Sequence, residues 1–253
     1  MVDKKFVFIC GLHKSGTSIL HKMLREHPRI SGFKNTGVPE DEGQHLQTVF
    51  STALPYGGPG KFAFFKKARL NEKSPLVTEE NKNKLFNQWK KYWNLEKDIL
   101  LEKSPINLLR TRFLQEMFEN SYFIIIKRHP IAVSYATRKW WRWFIYTWKS
   151  LIKHWVTAYE IFEQDKEFLN NYYVVKYEDI TKDTHKEMGK ICSFIGIENF
   201  SIEMKMRSDI NRRYFNRWKK DCKRKLFRKN WEKIINKFEY SVNRLGYTLK
   251  SVE

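Results

Sequence analysis

Phe6 to Cys10 is an unbroken apolar run closed by Gly11, and Ile19, Leu20, Met23 and Leu24 follow it at helical spacing. The pattern predicts a strand, a glycine loop and a helix. Asp98–Leu101, Tyr122–Ile126 and Tyr172–Val175 are further short runs without polar alternation, as expected of parallel strands buried on both faces. Between them lie stretches of helical period. Ile106, Leu109, Phe113 and Met117 share one predicted face, and Met188, Ile191, Cys192 and Ile195 share another, with Gly196 placed to cap that helix. Pro130 suits the first position of a helix after the Tyr122–Ile126 strand. Alternating strands and helices predict an α/β fold, a doubly wound parallel sheet with helices on both faces, whose ligands lie beyond the carboxyl ends of the strands.

A chain of 253 residues suits a single domain, here with a basic helical segment over about 201–253. The hydrophobic fraction of 42% supplies a core, while a mean hydropathy of −0.62 implies a heavily solvated exterior. No stretch approaches the roughly 20 apolar residues of a membrane span. The first apolar run passes directly into a glycine loop, which reads as a strand and not as a signal peptide. Cys10, Cys192 and Cys222 are scattered and lack ligand spacing, which speaks against a disulfide framework or a structural zinc. The expected setting is the reducing cytoplasm. Residues 55–60, PYGGPG, read as a surface loop, and Trp140–Trp148 is the densest aromatic stretch, either core or the lining of an acceptor cleft.

Charge changes this picture. The chain carries a net +20, a field that gathers nucleic acid, anionic membrane, polysaccharide or nucleotide. Part of it fits a genome rich in Lys, Asn and Ile codons. The clustering does not, because nine Lys and seven Arg face four carboxylates between Lys205 and Lys250, a net +12.

The segment Gly11-Leu12-His13-Lys14-Ser15-Gly16-Thr17-Ser18 lies between the predicted strand and helix, so backbone N–H groups and the helix N-terminus can surround a phosphate. A nucleoside triphosphatase places Lys directly after the second glycine, where this chain has Thr17. The strand ending at Ile126 runs into Lys127-Arg128 and not into a magnesium-binding Asp. Both departures disfavour a nucleotide-dependent kinase. A basic nucleic-acid-binding protein is the alternative from another class, and it predicts steeply salt-dependent affinity indifferent to Lys14.

GLHKSGTSIL resembles the phosphosulfate loop of sulfotransferases that use 3'-phosphoadenosine 5'-phosphosulfate (PAPS), usually written with Arg where this chain has Lys14. IIIKRHPIAVSYATRKW and VKYEDI resemble the family's later elements, in the same order, across residues 6 to about 200. GVPEDEGQHLQ and LLEKSPINLLRTRF are most similar to the bacterial-type branch. The resemblance implies a P-loop-like sulfotransferase architecture. It implies transfer of a sulfuryl group, without a metal, to a hydroxyl or amine of a small-molecule or glycan acceptor, leaving 3'-phosphoadenosine 5'-phosphate (PAP), with no specific nucleic-acid partner.

In that resemblance Gly11, His13, Lys14, Ser15, Gly16, Thr17 and Ser18 hold the 5'-phosphosulfate, and Arg128 grips the 3'-phosphate. Relatives place a Ser eight residues after this Arg, where Ala136 stands here, so Ser134 and Thr137 are the nearest substitutes. Tyr177 matches a region near the adenine. Asn211–Trp218 resembles a basic segment that closes over the nucleotide, with Arg212, Arg213 and Arg217 as candidates.

Sulfuryl transfer needs a base for the acceptor proton and cations around the departing oxygen. Pro39-Glu40-Asp41-Glu42-Gly43-Gln44-His45 reads as the start of a helix continuing to Val49 and Phe50, and its carboxylates also suit a helix N-terminus. Glu42 and His45 lie one helical turn apart. Carbohydrate-sulfating relatives use a Glu after the first helix, whereas cytosolic relatives use the His of a Lys-Thr-His strand end. Here the matching strand end is Glu102-Lys103-Ser104-Pro105, and Pro105 is no base. Glu42, then Glu40, with His45 as partner or substitute, are the candidates. Lys103 matches the strand-end Lys and would act with Lys14 on the leaving oxygen, with Glu102 orienting it and Ser104 adding a donor.

Overall fold

The computed structural model describes residues 4–140, 146–204 and 209–252. Five strands, β1 (Lys5–Cys10), β2 (Ile30–Gly32), β3 (Ile99–Lys103), β4 (Ser121–Lys127) and β5 (Tyr172–Lys176), pair in the order β2-β3-β1-β4-β5. Every pairing is parallel. β1 therefore lies between β3 and β4, and the chain crosses to either side of it, which opens a crevice beyond its carboxyl end.

Alternation along the strands feeds two cores. Phe6, Phe8 and Cys10 point to one face, where Leu100, Phe123 and Ile125 join an aromatic cluster containing Trp89, Trp155 and Trp231. Val7 and Ile9 point to the other, with Ile99, Leu101, Ile124 and Ile126. Helix α1 (Thr17–Leu24) covers this second face with Leu20, Met23 and Leu24, each fully buried. Burying one such side chain contributes about 1.5–3 kcal/mol. The aromatic face is covered by α2 (Glu79–Trp89), α3 (Thr111–Met117), α4 (Pro130–Trp140) and α5 (Trp148–Asp165). After β5 come α6 (Tyr177–Lys182) and α7 (Thr184–Ile195), the latter on the aliphatic face, and then the paired helices α8 (Asp209–Lys223) and α9 (Lys225–Arg244).

The four apolar runs are strands, and Pro130 opens α4 as expected. Gly196 caps α7 in the left-handed conformation, at φ 79° and ψ 43°. β2 has no counterpart in the pattern, because an edge strand of Ile, Ser and Gly carries no apolar run. Residues 106–117 are not one helix. A 3-10 segment, Pro105–Leu109, gives way to α3 at Arg110, whose φ of −135° breaks the spiral while its Nε donates to the Ala68 carbonyl at 3.0 Å.

Two further expectations are corrected. The acidic segment forms two separate 3-10 turns, Pro39–Asp41 and Gly43–His45, with Glu40 and Asp41 both in the left-handed region at φ 54° and 51°. Side-chain bonds outcompete a helix there, since Asp41 Oδ1 accepts from the Thr36 N–H and hydroxyl at 2.8 Å each. Val49 and Phe50 do not continue a helical face, because both backbone N–H groups are tied to Gln47 Oε1. The PYGGPG segment is only partly at the surface. Gly58, Pro59 and Gly60 are buried, Tyr146 donates to the Pro59 carbonyl, and a Cβ on Gly60 would meet Leu151 at 2.8 Å.

Candidate active site

β1, β3, β4 and β5 each end at one cleft. Beyond β1 the chain turns through Gly11, which approaches so closely that a Cβ there would lie 2.6 Å from the Ile126 carbonyl oxygen. The Leu12 carbonyl accepts from the Ser15 N–H at 3.0 Å and hydroxyl at 2.6 Å, closing the loop. Gly16 then starts α1 at φ 106°, packed so that a Cβ would meet the Tyr177 ring at 2.6 Å. The first-turn N–H groups of α1 thus point into the cleft end, where anions are favoured.

The cleft holds about 250 Å³, and Lys14, Gly16, Thr17, Ser18, Arg128 and Tyr177 line one wall. Glu40, Glu42 and Pro105 reach the cleft from the acidic turns and the end of β3, here called the carboxylate wall, and His13 and Trp140 complete the lining. Lys14 Nζ lies 3.7 Å from the centroid of the Trp140 ring, and burial lowers its pKa against the pull of Glu40 and Glu42. The His13 imidazole is held at about 3 by burial, reinforced by His154 and Lys103, so it is neutral at any working pH. Its Nδ1 is enclosed with no hydrogen-bond partner.

Arg128, just beyond β4, is 5% exposed. Its Nε donates to Asn211 Oδ1 at 2.8 Å and its Nη1 to the Lys14 carbonyl at 2.7 Å, while the plane stacks 4.2 Å from the Tyr177 ring. Nη2 is buried without a partner. Asn211 is oriented in turn by Glu178 Oε1, which accepts its amide at 2.7 Å, and Glu178 Oε2 takes the Tyr247 hydroxyl at 2.8 Å. The resemblance pointed to Arg212 and Arg213 in this segment. Both stand exposed on α8 and neither lines the cleft, Arg213 lying 3.3 Å from Asp209, while the neighbour Asn211 accepts from Arg128. Asn211 and Glu178 were missed because an uncharged amide and an acid inside the YEDI string carry no anion-binding signal of their own.

Ser134 and Thr137 do not line the cleft. Ser134 Oγ is buried without a partner in α4, and Thr137 turns its methyl toward Gly60. Tyr177 packs between the loop glycine and the Arg128 guanidinium, bracing both. Residues 141–145 of the aromatic stretch lie outside the described residues. Of its ends, Trp140 borders the cleft while Tyr146 and Trp148 belong to the aromatic core.

The carboxylate wall is held from β3. Lys103 is fully buried, and its Nζ donates to Glu42 Oε1 at 3.1 Å, the Glu40 carbonyl at 2.9 Å and Ser18 Oγ at 3.2 Å. It is therefore committed to bracing Glu42 and does not reach into the cleft beside Lys14. Glu102 points to the opposite face of the strand and cannot orient Lys103. Instead its Oε1 accepts the Gly43 N–H at 2.9 Å and the Ser104 hydroxyl at 2.6 Å, and Oε2 accepts from Asn107. Ser104 is thereby turned away from the cleft, accepting the Gln44 N–H at 2.9 Å. Burial raises Glu102 to about 7 even though Ser104 and Asn107 favour its charged form. Only glycine fits at 43, where a Cβ would lie 2.4 Å from Glu102 Oε1. The second Glu42 oxygen takes the Gln44 amide at 2.5 Å and stands 3.8 Å from His45 Nε2, so Glu42 and His45 do meet, across a 3-10 turn. Glu40 is exposed at the cleft edge.

A family model described as the sulfotransferase family matches residues 7–201. The chain belongs to the sulfotransferase family. No curated protein gives a significant match. Among solved structures, a sulfotransferase from Mycobacterium avium, STF9, is 10% identical at a TM-score of 0.51, over 88% of this chain and 69% of its own. The sulfotransferase domain of the Synechococcus PCC 7002 olefin synthase is 20% identical at a TM-score of 0.49, over 78% and 76%. Mouse sulfotransferase SULT7A1, solved in complex with PAP, is 17% identical at a TM-score of 0.47, over 83% and 64%. The Mycobacterium avium likeness supports the fold and nothing finer. Sulfuryl transfer is the chemistry of the family, and no comparison supports the nucleic-acid-binding alternative. Among the described residues of this sulfotransferase, no group of three or more His, Cys, Asp or Glu is arranged to hold a metal ion, and no helix is long and apolar enough to cross a membrane.

Proposed function

We propose that the protein moves the sulfuryl group of PAPS to a hydroxyl or amine of a small-molecule or glycan acceptor, without a metal and in the cytoplasm. The observation that carries the reading is Arg128, a nearly buried cation whose Nη2 has no partner, lining the same cleft as the glycine loop. A buried donor without a partner costs about 1–3 kcal/mol, which a bound phosphate offsets. A donor with a phosphate at each end fits this layout. Lys14, the loop N–H groups and the Thr17 and Ser18 hydroxyls receive the 5'-phosphosulfate, and Arg128 receives the 3'-phosphate.

PAPS supplies an activated sulfuryl group whose departure leaves a phosphate oxygen. Lys14 neutralises that oxygen. Glu42, fixed by Lys103 and Gln44, accepts the acceptor's proton as the acceptor oxygen or nitrogen bonds to sulfur and the bond between sulfur and the phosphate oxygen breaks. Glu40, at the cleft edge, and His45, behind Glu42, are the alternative proton acceptors.

The test is a titration of PAP and adenosine 5'-phosphate with EDTA present. Arg128→Ala should weaken PAP by roughly 10- to 150-fold, the worth of a charge-assisted bond, while leaving adenosine 5'-phosphate nearly unchanged. Lys14→Ala should weaken both. An equal loss for both nucleotides in Arg128→Ala, or an absolute need for magnesium, would overturn the assignment.

A further inference from the structure

The family match ends at residue 201, yet the strongest charge cluster begins after it. In the structure this cluster is sorted by sign. Every described Lys and Arg side chain from Arg212 to Arg244 is exposed. Two of the carboxylates are turned inward. Asp221 accepts the Tyr135 hydroxyl at 2.8 Å, and Glu239 accepts from Asn243, Thr248 and the Leu249 N–H. The apolar faces of the two helices are spent on the core through Phe215, Trp218, Trp231 and Phe238. What α8 and α9 turn to solvent is therefore strongly positive, even with Arg213 paired to Asp209 and Arg228 to Glu232. The cleft does not use it, since neither Arg212 nor Arg213 lines it.

We infer that the outer face of the α8–α9 pair docks the enzyme on an anionic membrane surface. Lys229, Lys233 and Lys237 recur at one-turn spacing along α9, whose 20 residues span about 30 Å. Cations spread along two adjoining helices match a plane of lipid headgroups, whereas a single polyanion strand is held by a groove. Tyr240, 75% exposed on α9 with Arg244 beside it, supplies the amphipathic ring that suits a headgroup layer. Among the described residues no apolar face of the pair is left to insert, so the docking is electrostatic and reversible. Each Lys or Arg near such a surface contributes about 1 kcal/mol. The docking element is also tied to the donor site, because α8 supplies the Asn211 that orients Arg128.

The experiment is sedimentation of the full chain with vesicles of phosphatidylcholine containing about 30% phosphatidylserine, or of phosphatidylcholine alone, at low, physiological and high salt. Binding is expected to the anionic vesicles only, and to fade as salt rises. The combined variant Lys229→Gln, Lys233→Gln, Lys237→Gln should partition on the order of a hundredfold more weakly, with unchanged circular dichroism and PAP affinity. Equal binding to neutral vesicles would overturn the inference, as would undiminished binding by the variant. So would wild-type protein that ignores anionic vesicles at physiological salt while binding a heparin fragment or single-stranded DNA.

Discussion

The two walls of the cleft are held by different means. The wall proposed to hold the donor is placed mainly by main chain. Its loop follows β1, Arg128 follows β4 and Tyr177 follows β5, so three neighbouring strands fix their spacing. The carboxylate wall hangs on side chains, with Glu102 under Gly43, Ser104 under Gln44, Lys103 under Glu42, and Trp89 donating to the Gly43 carbonyl at 2.9 Å. A wall built on strand ends should keep its position when one side chain is lost, whereas a wall suspended from a few buried polar groups should shift with each of them.

The largest effect that separates them is at Glu42. Glu42→Gln should cut turnover by about 10² to 10⁴ while PAP affinity stays near wild type, measured by single-turnover assay beside calorimetric titration. Near-normal rates in Glu42→Gln, Glu40→Gln and His45→Gln alike would place the base outside this wall.

Next in size is a contrast in pH dependence. Burial holds His13, His21 and His154 at about 3 and His129 at about 4, below the usual value near 6.5. The unfolded chain therefore binds more protons, and stability falls as pH drops from 6.5, by up to ~1.4 kcal/mol per pH unit for each group. Glu102 runs the other way. Its folded value, about 7, lies above that of an unfolded Glu, so the folded state holds the extra proton, and stability falls as pH rises from about 4.5 toward 7 before levelling. Between about 4.5 and 6.5 the four histidines outweigh Glu102, so thermal melts should show stability falling as pH drops through that range, and Glu102→Gln should steepen the fall. An unchanged slope in the variant would show that Glu102 does not hold the opposing proton.

The smallest effect sharpens the comparison most. Glu102→Gln keeps the size of the side chain but replaces one acceptor with a donor facing the Gly43 N–H or Asn107. It should lower kcat by about tenfold, the cost of roughly 1.4 kcal/mol in positioning, with PAP affinity unchanged. Weakened PAP binding in this variant would mean that the two walls are not independent supports.

The same division governs what the sequence disclosed. Strands buried on both faces appear as apolar runs, and a loop packed this closely needs glycine at fixed positions, so the sheet and the Gly11 to Gly16 loop were readable. Arg128 was readable because it follows such a run. Asn211 and Glu178 were not, since their effect passes through another side chain. The carboxylate wall was read with the wrong scaffold. Pro39 followed by acids is a sound helix start, but Glu102 and Thr36, distant in sequence or hidden in a strand, bend that segment into two turns. Lys103 was expected to be a reagent and is a brace, because nothing local to Glu102-Lys103-Ser104 tells which neighbours its ammonium will meet.

Lys103 also limits how the enzyme can be redesigned. One ammonium, sealed from solvent, grips the first turn of the loop helix at Ser18 and the acidic turn at Glu40 and Glu42. Any remodelling of the acidic turn to admit a bulkier acceptor pulls on that shared anchor, and through it on the helix proposed to receive the donor. New acceptor ranges are therefore reached more cheaply from the aromatic border at His13 and Trp140, which touches the same cleft without being tied to Lys103.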